Sequence, residues 1–186
     1  MKLIKAHFDA AERPYAELYG HYAYKNFGIS GDAIVAFIGP CEVRGEDLVD
    51  LADRQAGAEI VAARMLHFIV EHFGLALGEV IWRQRVLAAI VFEEVLRRAP
   101  AAALRREGDD VYVGDGKLTV SVATVSPTSA LVHLGVNVDG SGAPVPVCDL
   151  RTLGVDAAEF ALAVIERYAA EVESFVNALG KVRGVC

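Results

Sequence analysis

The sequence predicts an α+β domain with a mainly antiparallel sheet backed by helices. Three strand-like segments follow one another in the second half of the chain, at residues 110–113, 117–125 and 130–138. Gly-Asp-Gly and Ser-Pro-Thr turns join them, and strands joined by such short turns pair antiparallel. Helical patterns precede and follow this strand cluster along the chain, which is typical of α+β domains.

Three further strands are predicted in the first half of the chain. Residues 32–38 are apolar and rich in β-branched side chains, which is typical of a buried strand, and Gly39 and Pro40 are expected to end it. Residues 65–73 fit strand alternation and helical spacing about equally, and we favour a strand. The remaining patterns predict an edge strand at 2–8, a helix at 13–26 and a helical turn at 46–54.

Two long helices are predicted. Residues 79–98 follow helical spacing up to Pro100. Their polar stripe is Arg83, Glu94 and Arg97, and their core-facing residues are Ala88, Ala89, Phe92, Val95 and Leu96. The last helix begins after Asp156, which can cap it with Glu159 three residues later, and it ends at Gly180.

The composition indicates one soluble globular domain over residues 1–186. With 54% hydrophobic residues and a mean hydropathy of +0.35, a chain of this mass buries about 70% of its unfolded surface. The longest apolar run, 86–92, is far shorter than a membrane span of ~20 residues. The net charge is −7 and no basic run exceeds two residues, so binding to nucleic acid is not expected.

The cysteines and the N-terminus point to a cytoplasmic protein. Cys41, Cys148 and Cys186 form no Cys-x-x-Cys pair, so neither a zinc site nor a disulfide scaffold is predicted. The apolar part of residues 1–7 is too short for a signal peptide.

His67, Glu71 and His72 do not have the spacing of a metal-binding motif. Their order, His-x-x-x-Glu-His, matches neither His-Glu-x-x-His nor His-x-x-Glu-His. On a strand His67 and Glu71 would lie ~13 Å apart, which is too far to share one ion. We expect no metal site here.

Arg85 stands out on residue type alone. Its helical angle places it between Phe92 and Leu96, on the apolar face, and a guanidinium is rarely buried without a partner. It could bind an anionic ligand beyond the end of the helix, or form a structural ion pair with an acid. We favour the ion pair.

Between Arg83 and Gly180 the order of the segments resembles the catalytic domain of biotin protein ligases, and more loosely lipoate ligases and octanoyltransferases. The likeness is carried by DDVYVGDGKL at 109–118, GVNV at 135–138 and DLRTLGV at 149–155, followed by the last helix. It implies the fold shared by biotin and lipoate ligases and class II aminoacyl-tRNA synthetases. The whole chain also resembles the "domain of unknown function 366" family, through residues 26–37 and 65–72.

The ligase resemblance implies roles for four residues. Lys117 would stabilise negative charge on phosphate or carbonyl oxygens. Asp109 and Asp110 would line a nucleotide pocket and take a ribose hydroxyl or Mg²⁺, and Asn137 would contact the ligand from the pocket floor. Alternatively, Lys117 is a solvated turn lysine, the two aspartates close a turn, and Asn137 is a buried amide bonded to a loop.

Two features depart from the ligase pattern. The chain has no Gly-Arg-Gly-Arg run, and the nearest segment, GPCEVRG at 39–45, has one arginine. Val120 stands where the ligases place glycine, and its side chain would crowd a ligand that approaches the backbone.

Cys148 raises a second mechanism. His133, Asn137 and the proline loop ending in Cys148 resemble the corresponding order in octanoyltransferases, where a cysteine and the lysine form a catalytic dyad. Asp149 beside the thiol would oppose its ionisation, so an unreactive loop cysteine is the alternative.

These residues support three hypotheses about function. The first is ATP- and Mg²⁺-dependent activation of a small carboxylic acid and its transfer to an amine. The second is a non-catalytic relative that binds a small carboxylate or nucleotide, and the third is a Cys148/Lys117 acyltransferase. The apolar composition is also compatible with a homodimer.

Overall fold

The computed structural model describes residues 3–143 and 145–185, which form two sheets and four α-helices. The strands are β1 (Lys5–Asp9), β2 (Ala33–Arg44), β3 (Glu59–His72), β4 (Leu104–Glu107), β5 (Asp110–Val113), β6 (Gly116–Lys117), β7 (Thr119–Val125) and β8 (Ala130–Asp139). The helices are α1 (Tyr22–Phe27), α2 (Leu51–Ala56), α3 (Leu77–Arg98) and α4 (Ala157–Lys181), with a 3₁₀ turn at Gly45–Asp47.

The larger sheet has the strand order β1-β2-β3-β8-β7, and the smaller has the order β4-β5-β6. Only the edge pair β1–β2 is parallel among the described strands, and the other pairs are antiparallel. The predicted α+β class with a mainly antiparallel sheet is therefore confirmed. None of the helices in the described part of the chain is long and apolar enough to cross a membrane.

The two faces of the larger sheet are covered differently. On one face, alternate residues of β3 and β8 pack with α3 and α4 in the main core; they are Leu66, Phe68, Val70, Val132, Leu134 and Val136. On the other face, the segment before β2 covers β2 and β3 with Tyr15 and Tyr22. A cleft opens on the part of that face formed by β7 and β8.

The helix predicted at 13–26 is wrong in its first part. Only Tyr22–Phe27 is helical. The backbone N–H groups of Arg13 and Tyr15 donate to Ile38 O and Pro40 O, both at 2.9 Å. The segment is extended because these long-range bonds to β2 replace local helical ones.

The predicted end of the second strand at Gly39 and Pro40 is also wrong, since β2 continues to Arg44. The register with β3 shifts between Gly39 and Cys41, and this irregularity accommodates the proline, which cannot donate a ladder hydrogen bond. Gly39 is required there, because an added Cβ would lie 1.8 Å from Arg13 O.

The predicted strand 117–125 is divided at Leu118. The Leu118 N–H donates to Val111 O at 2.8 Å, and its carbonyl accepts from Asn137 N at 3.0 Å. Because Leu118 bonds one strand of each sheet, the chain passes there from the smaller sheet to the larger one.

Both long helices are confirmed, and Asp156 caps α4 by accepting from the N–H groups of Ala158 and Glu159. The predicted faces of α3 need two corrections. Leu96 is 43% exposed, because Val91 and Val95 take the positions against the sheet. Glu94 is buried, because arginines surround and neutralise it.

Candidate ligand-binding cleft

A cleft of about 380 Å³ opens on the face of the sheet formed by β3, β7 and β8. The connection from β2 to β3 forms one wall, and Ala143, Val145 and Val147 form another. Apolar side chains make up much of the lining: Val43, Leu48, Ile60, Met65, Val120, Val122, Val145 and Val147. Val120, the residue expected to crowd a ligand, is part of the lining.

The cleft brings together four of the six residues predicted from the sequence. Asp109, Asp110, Lys117 and Asn137 all line it. Lys117 Nζ lies 2.9 Å from Asp110 Oδ2, so the ammonium is held by the neighbouring carboxylate across the β5–β6 turn. Both side chains are about 30% exposed, at 31% and 27%. The pair therefore stands at the mouth of the cleft, within reach of solvent.

Arg85 forms an ion pair with Asp109. Asp109 also accepts a hydrogen bond of 2.7 Å from Gln84 Nε2, so two consecutive residues of α3 hold this carboxylate. Arg85 lies at the edge of the buried face of α3, and its expected position in the middle of an apolar face is wrong because Leu96 points outward. Arg85 therefore positions the Asp109 side chain, which lines the cleft.

Asn137 lies in β8, where its side chain connects three parts of the structure. Its Nδ2 donates to Lys117 O at 3.1 Å and to Cys148 O at 3.3 Å. Both partners are carbonyls, so the amide orientation is fixed and Oδ1 points away from them. Asn137 is 4% exposed, its amide is bonded to a loop as the structural interpretation expects, and its contact with a ligand stays a prediction.

Two buried histidines lie on the same face of the sheet as Asn137. The register of β3 and β8 pairs Ile69 with His133 and His67 with Gly135, so the two imidazoles are diagonal neighbours. His67 Nδ1 is 3.1 Å from His133 Nε2, and the Tyr15 ring stacks on His133 with 4.0 Å between centroids. Burial lowers the pKa of His67 to about 3 and the pKa of His133 well below its usual value.

Sequence reasoning missed this histidine pair as part of the site. In the sequence, His67 belongs to a candidate metal-binding pattern and His133 to an acyltransferase-like motif. The strand register that brings the two rings together is a long-range property, so no local pattern indicates the pair. The available signal was that each histidine occupies the open-face side of a strand in the alternation pattern. In residues 3–143 and 145–185, no group of three or more metal-binding side chains is placed to hold an ion.

Cys148 belongs to the loop beside the cleft but is not part of the lining that the structure describes, where Val147 takes that place. Its Sγ contacts Asp149 O at 3.8 Å, and burial raises the pKa of the thiol. The Asp149 side chain accepts from Gly140 N and Thr152 N and so holds the loop closed. This environment is that of a protonated loop cysteine.

The ionisable lining of the cleft is strongly acidic. Among the described residues, six carboxylates and one ammonium line it: Asp47, Asp50, Asp53, Glu59, Asp109 and Asp110, against Lys117. Arg44, the single arginine of the segment 39–45, does not line the cleft and bonds Glu42 at 3.3 Å and Glu59 at 3.7 Å.

Residues 5–183 match the family described as "Domain of unknown function (DUF366)". The chain belongs to the DUF366 family. An uncharacterized protein of Methanocaldococcus jannaschii is 35% identical to this DUF366 protein over 167 residues, which cover 86% of this chain and 75% of that one.

Solved structures give the fold. A protein of unknown function from Pyrococcus horikoshi superposes with a TM-score of 0.90 and 34% identity, covering 98% of this chain and all of that one. A biotin protein ligase from Aquifex aeolicus, solved in complex with biotin and ATP, gives a TM-score of 0.60 and 17% identity, covering 92% and 70% of the two chains. The DUF366 protein therefore has a biotin protein ligase-like fold, as the sequence motifs implied.

Proposed function

We propose that the protein binds a small organic molecule in the cleft. The observation that carries this proposal is the convergence of Lys117, Asp110, Asn137 and His133 on one cavity with largely apolar walls. Concave, mainly apolar pockets with a few converging polar groups are the usual form of small-molecule sites. The Aquifex ligase, which has the same fold, was solved with biotin and ATP, and this supports the proposal further.

The lining fits a nucleoside triphosphate poorly. A triphosphate needs cations that are free to bind it, whereas Lys117 is paired with Asp110 and is outnumbered by carboxylates. Arg85 and Arg44 are also held by acids. We therefore favour a non-catalytic ligand-binding relative over ATP- and Mg²⁺-dependent activation of a carboxylic acid. The Cys148 acyltransferase has less support, because the thiol is protonated and lies outside the lining.

The test is a thermal-shift panel of biotin, lipoate, octanoate, their amides and amines, and ATP with Mg²⁺, on the wild type and on Lys117→Ala. Saturation at 100 times Kd adds about 2.7 kcal/mol, a shift of several degrees for this size of domain. We expect at least one small organic molecule to raise Tm and ATP to leave it unchanged. Pyrophosphate exchange into ATP in the presence of one of the acids would overturn the non-catalytic assignment, and no shift with any compound would contradict ligand binding.

A further inference from the structure

We propose that the cleft selects a ligand with a protonated amine on an apolar body, in preference to a carboxylate. This inference rests on the proposed function, since it names the chemical class of the molecule bound in the same cleft. It follows from the hydrogen-bonding capacity of the buried floor and from the charge of the walls, which are independent observations.

The first free group of the floor is the carbonyl oxygen of Asn137. Both hydrogens of its amide are used by Lys117 O and Cys148 O, so Oδ1 can only accept. No described residue donates to Oδ1. Since every fully buried side-chain nitrogen and oxygen in the described chain has a partner, Oδ1 must be open to the cleft that Asn137 lines.

The second free group is Nδ1 of His133. His67 Nε2 lies 3.3 Å from Gly39 O, a carbonyl, so this nitrogen carries the proton and donates. His67 Nδ1 is then an acceptor, and His133 Nε2 at 3.1 Å donates to it. Because His133 is neutral, its Nδ1 keeps a lone pair, and by the same criterion as Asn137 Oδ1 it is open to the cleft.

The buried floor thus offers two acceptors, on residues of β8 that are each 4% exposed and lie four positions, roughly 13 Å, apart along the strand. A carboxylate brings only acceptors. It would leave Asn137 Oδ1 and His133 Nδ1 without a hydrogen-bond partner, at the cost of desolvating each one. An ammonium brings three donors and can satisfy whichever of the two acceptors it reaches.

The walls favour the same choice. Asp47, Asp50 and Asp53 from the connection between β2 and β3, together with Glu59 at the start of β3, form an acidic wall of the cleft. Six carboxylates line the cleft against three cations, even when Arg85 and Arg44 are included for their bonds to Asp109 and Glu59. The resulting field attracts a cation and repels an anion. The apolar side chains of the lining accommodate the hydrocarbon part of the ligand.

The test uses three compounds with matched chains and different head groups: hexylamine, hexanamide and hexanoate. Titration calorimetry on the wild-type protein measures their Kd values at one salt concentration and pH 7.5. We expect hexylamine to bind at least about tenfold more tightly than hexanoate, with hexanamide between them, since hydrogen bonds from a charged donor are stronger than those from a neutral one. Equal affinities, or a preference for hexanoate, would overturn this inference and leave ligand binding in the cleft intact. Binding of none of the three, together with a negative thermal-shift panel, would contradict the proposed function itself.

A charge-matched pair of variants separates the acidic wall from the overall charge of the protein. Asp47→Asn/Asp53→Asn removes two charges from the cleft, whereas Glu166→Gln/Glu171→Gln removes two from exposed positions of α4, beyond the other face of the sheet. We expect the first variant to weaken hexylamine several-fold without changing hexanamide, and the second to change neither. An equal effect of the two variants would overturn the role of the wall.

Discussion

His133 Nε2 lies 3.1 Å from His67 Nδ1, where the two rings meet on adjacent strands beneath the cleft. Tyr15 stacks on His133, and Phe37 stacks on His67 with 4.9 Å between centroids. Both imidazoles are therefore largely buried, and burial disfavours the charged form of each ring. The protonation state of this pair therefore affects both the stability of the sheet and the hydrogen bonding at the floor of the candidate site.

This pair predicts a loss of stability in mild acid. Burial lowers the pKa of His67 to about 3 and that of His133 well below 6.5, whereas both titrate near 6.5 in the unfolded chain. The unfolded chain therefore binds more protons, and stability is complete above about pH 6.5 and falls as the pH decreases toward 3. Each ring contributes up to about 1.4 kcal/mol per pH unit.

Urea unfolding between pH 6.5 and 4.5 measures this slope. We expect His133→Phe to roughly halve it, because one of the two titrating rings is removed while the stack on Tyr15 is kept. A wild-type free energy of unfolding that does not change across this window would contradict the neutral pair.

Glu94 is predicted to anchor α3 to α4. It is 2% exposed and bonds Arg97, Arg98 and Arg167, the last from the other helix. Glu94→Gln should lower the free energy of unfolding by about 1–3 kcal/mol, because it weakens several charge-assisted bonds at once. The neighbouring Glu93 bonds only Arg167 in the described chain and is 53% exposed, so Glu93→Gln should stay within about 0.5 kcal/mol. Equal losses for the two variants would disprove the anchor.

Gly39 in β2 and Gly78 in α3 provide a matched test of how closely the chain packs against the backbone of β2. A Cβ at Gly39 would meet Arg13 O, which is a backbone atom, so Gly39→Ala should cost about 1–3 kcal/mol or more. Gly78, in the first turn of α3, has nothing within 4 Å of an added Cβ. Gly78→Ala should therefore stabilise the protein by about 0.5–1 kcal/mol. Urea denaturation of both variants is the measurement, and a Gly39→Ala protein as stable as the wild type would contradict the close approach of the two segments.

The elements that could be predicted from the sequence are those with a local signal. The long helices and β8 follow from periodicity, which is a local property. The extended segment at Arg13 and the continuation of β2 past Pro40 were not predictable, because both depend on bonds to distant residues. The short strand β4 was missed, since its residues LRRE carry no apolar alternation.

In the candidate site, too, some residues could be predicted from local motifs and others could not. The family motifs identified Lys117, Asp110 and Asn137 residue by residue, and the structure brings them into one cleft. The pairing of Arg85 with Asp109, 24 residues away, and of His67 with His133 depends on tertiary geometry that no spacing in the chain reveals.

The Lys117–Asp110 pair predicts that head-group preference can be changed. Asp110→Asn releases the ammonium, so binding of hexanoate relative to hexylamine should increase by up to about fivefold, the equivalent of ~1 kcal/mol for a partly exposed pair. Asp115→Asn is the matched control, because Asp115 is exposed in the same turn and does not line the cleft. A ratio that changes equally in both variants would contradict the role of the pair.

The most direct test of a ligand site in this cleft is a chemical-shift map. At 19.9 kDa the ¹⁵N-labelled protein is suited to an NMR titration with hexylamine, hexanamide and hexanoate. We expect the backbone amides of Lys117, His133, Asn137 and Val147 to shift together and saturably with the compound that binds most tightly. Shifts confined to α3 and α4, on the other face of the sheet, or no saturable shift with any of the three, would contradict a ligand site in this cleft.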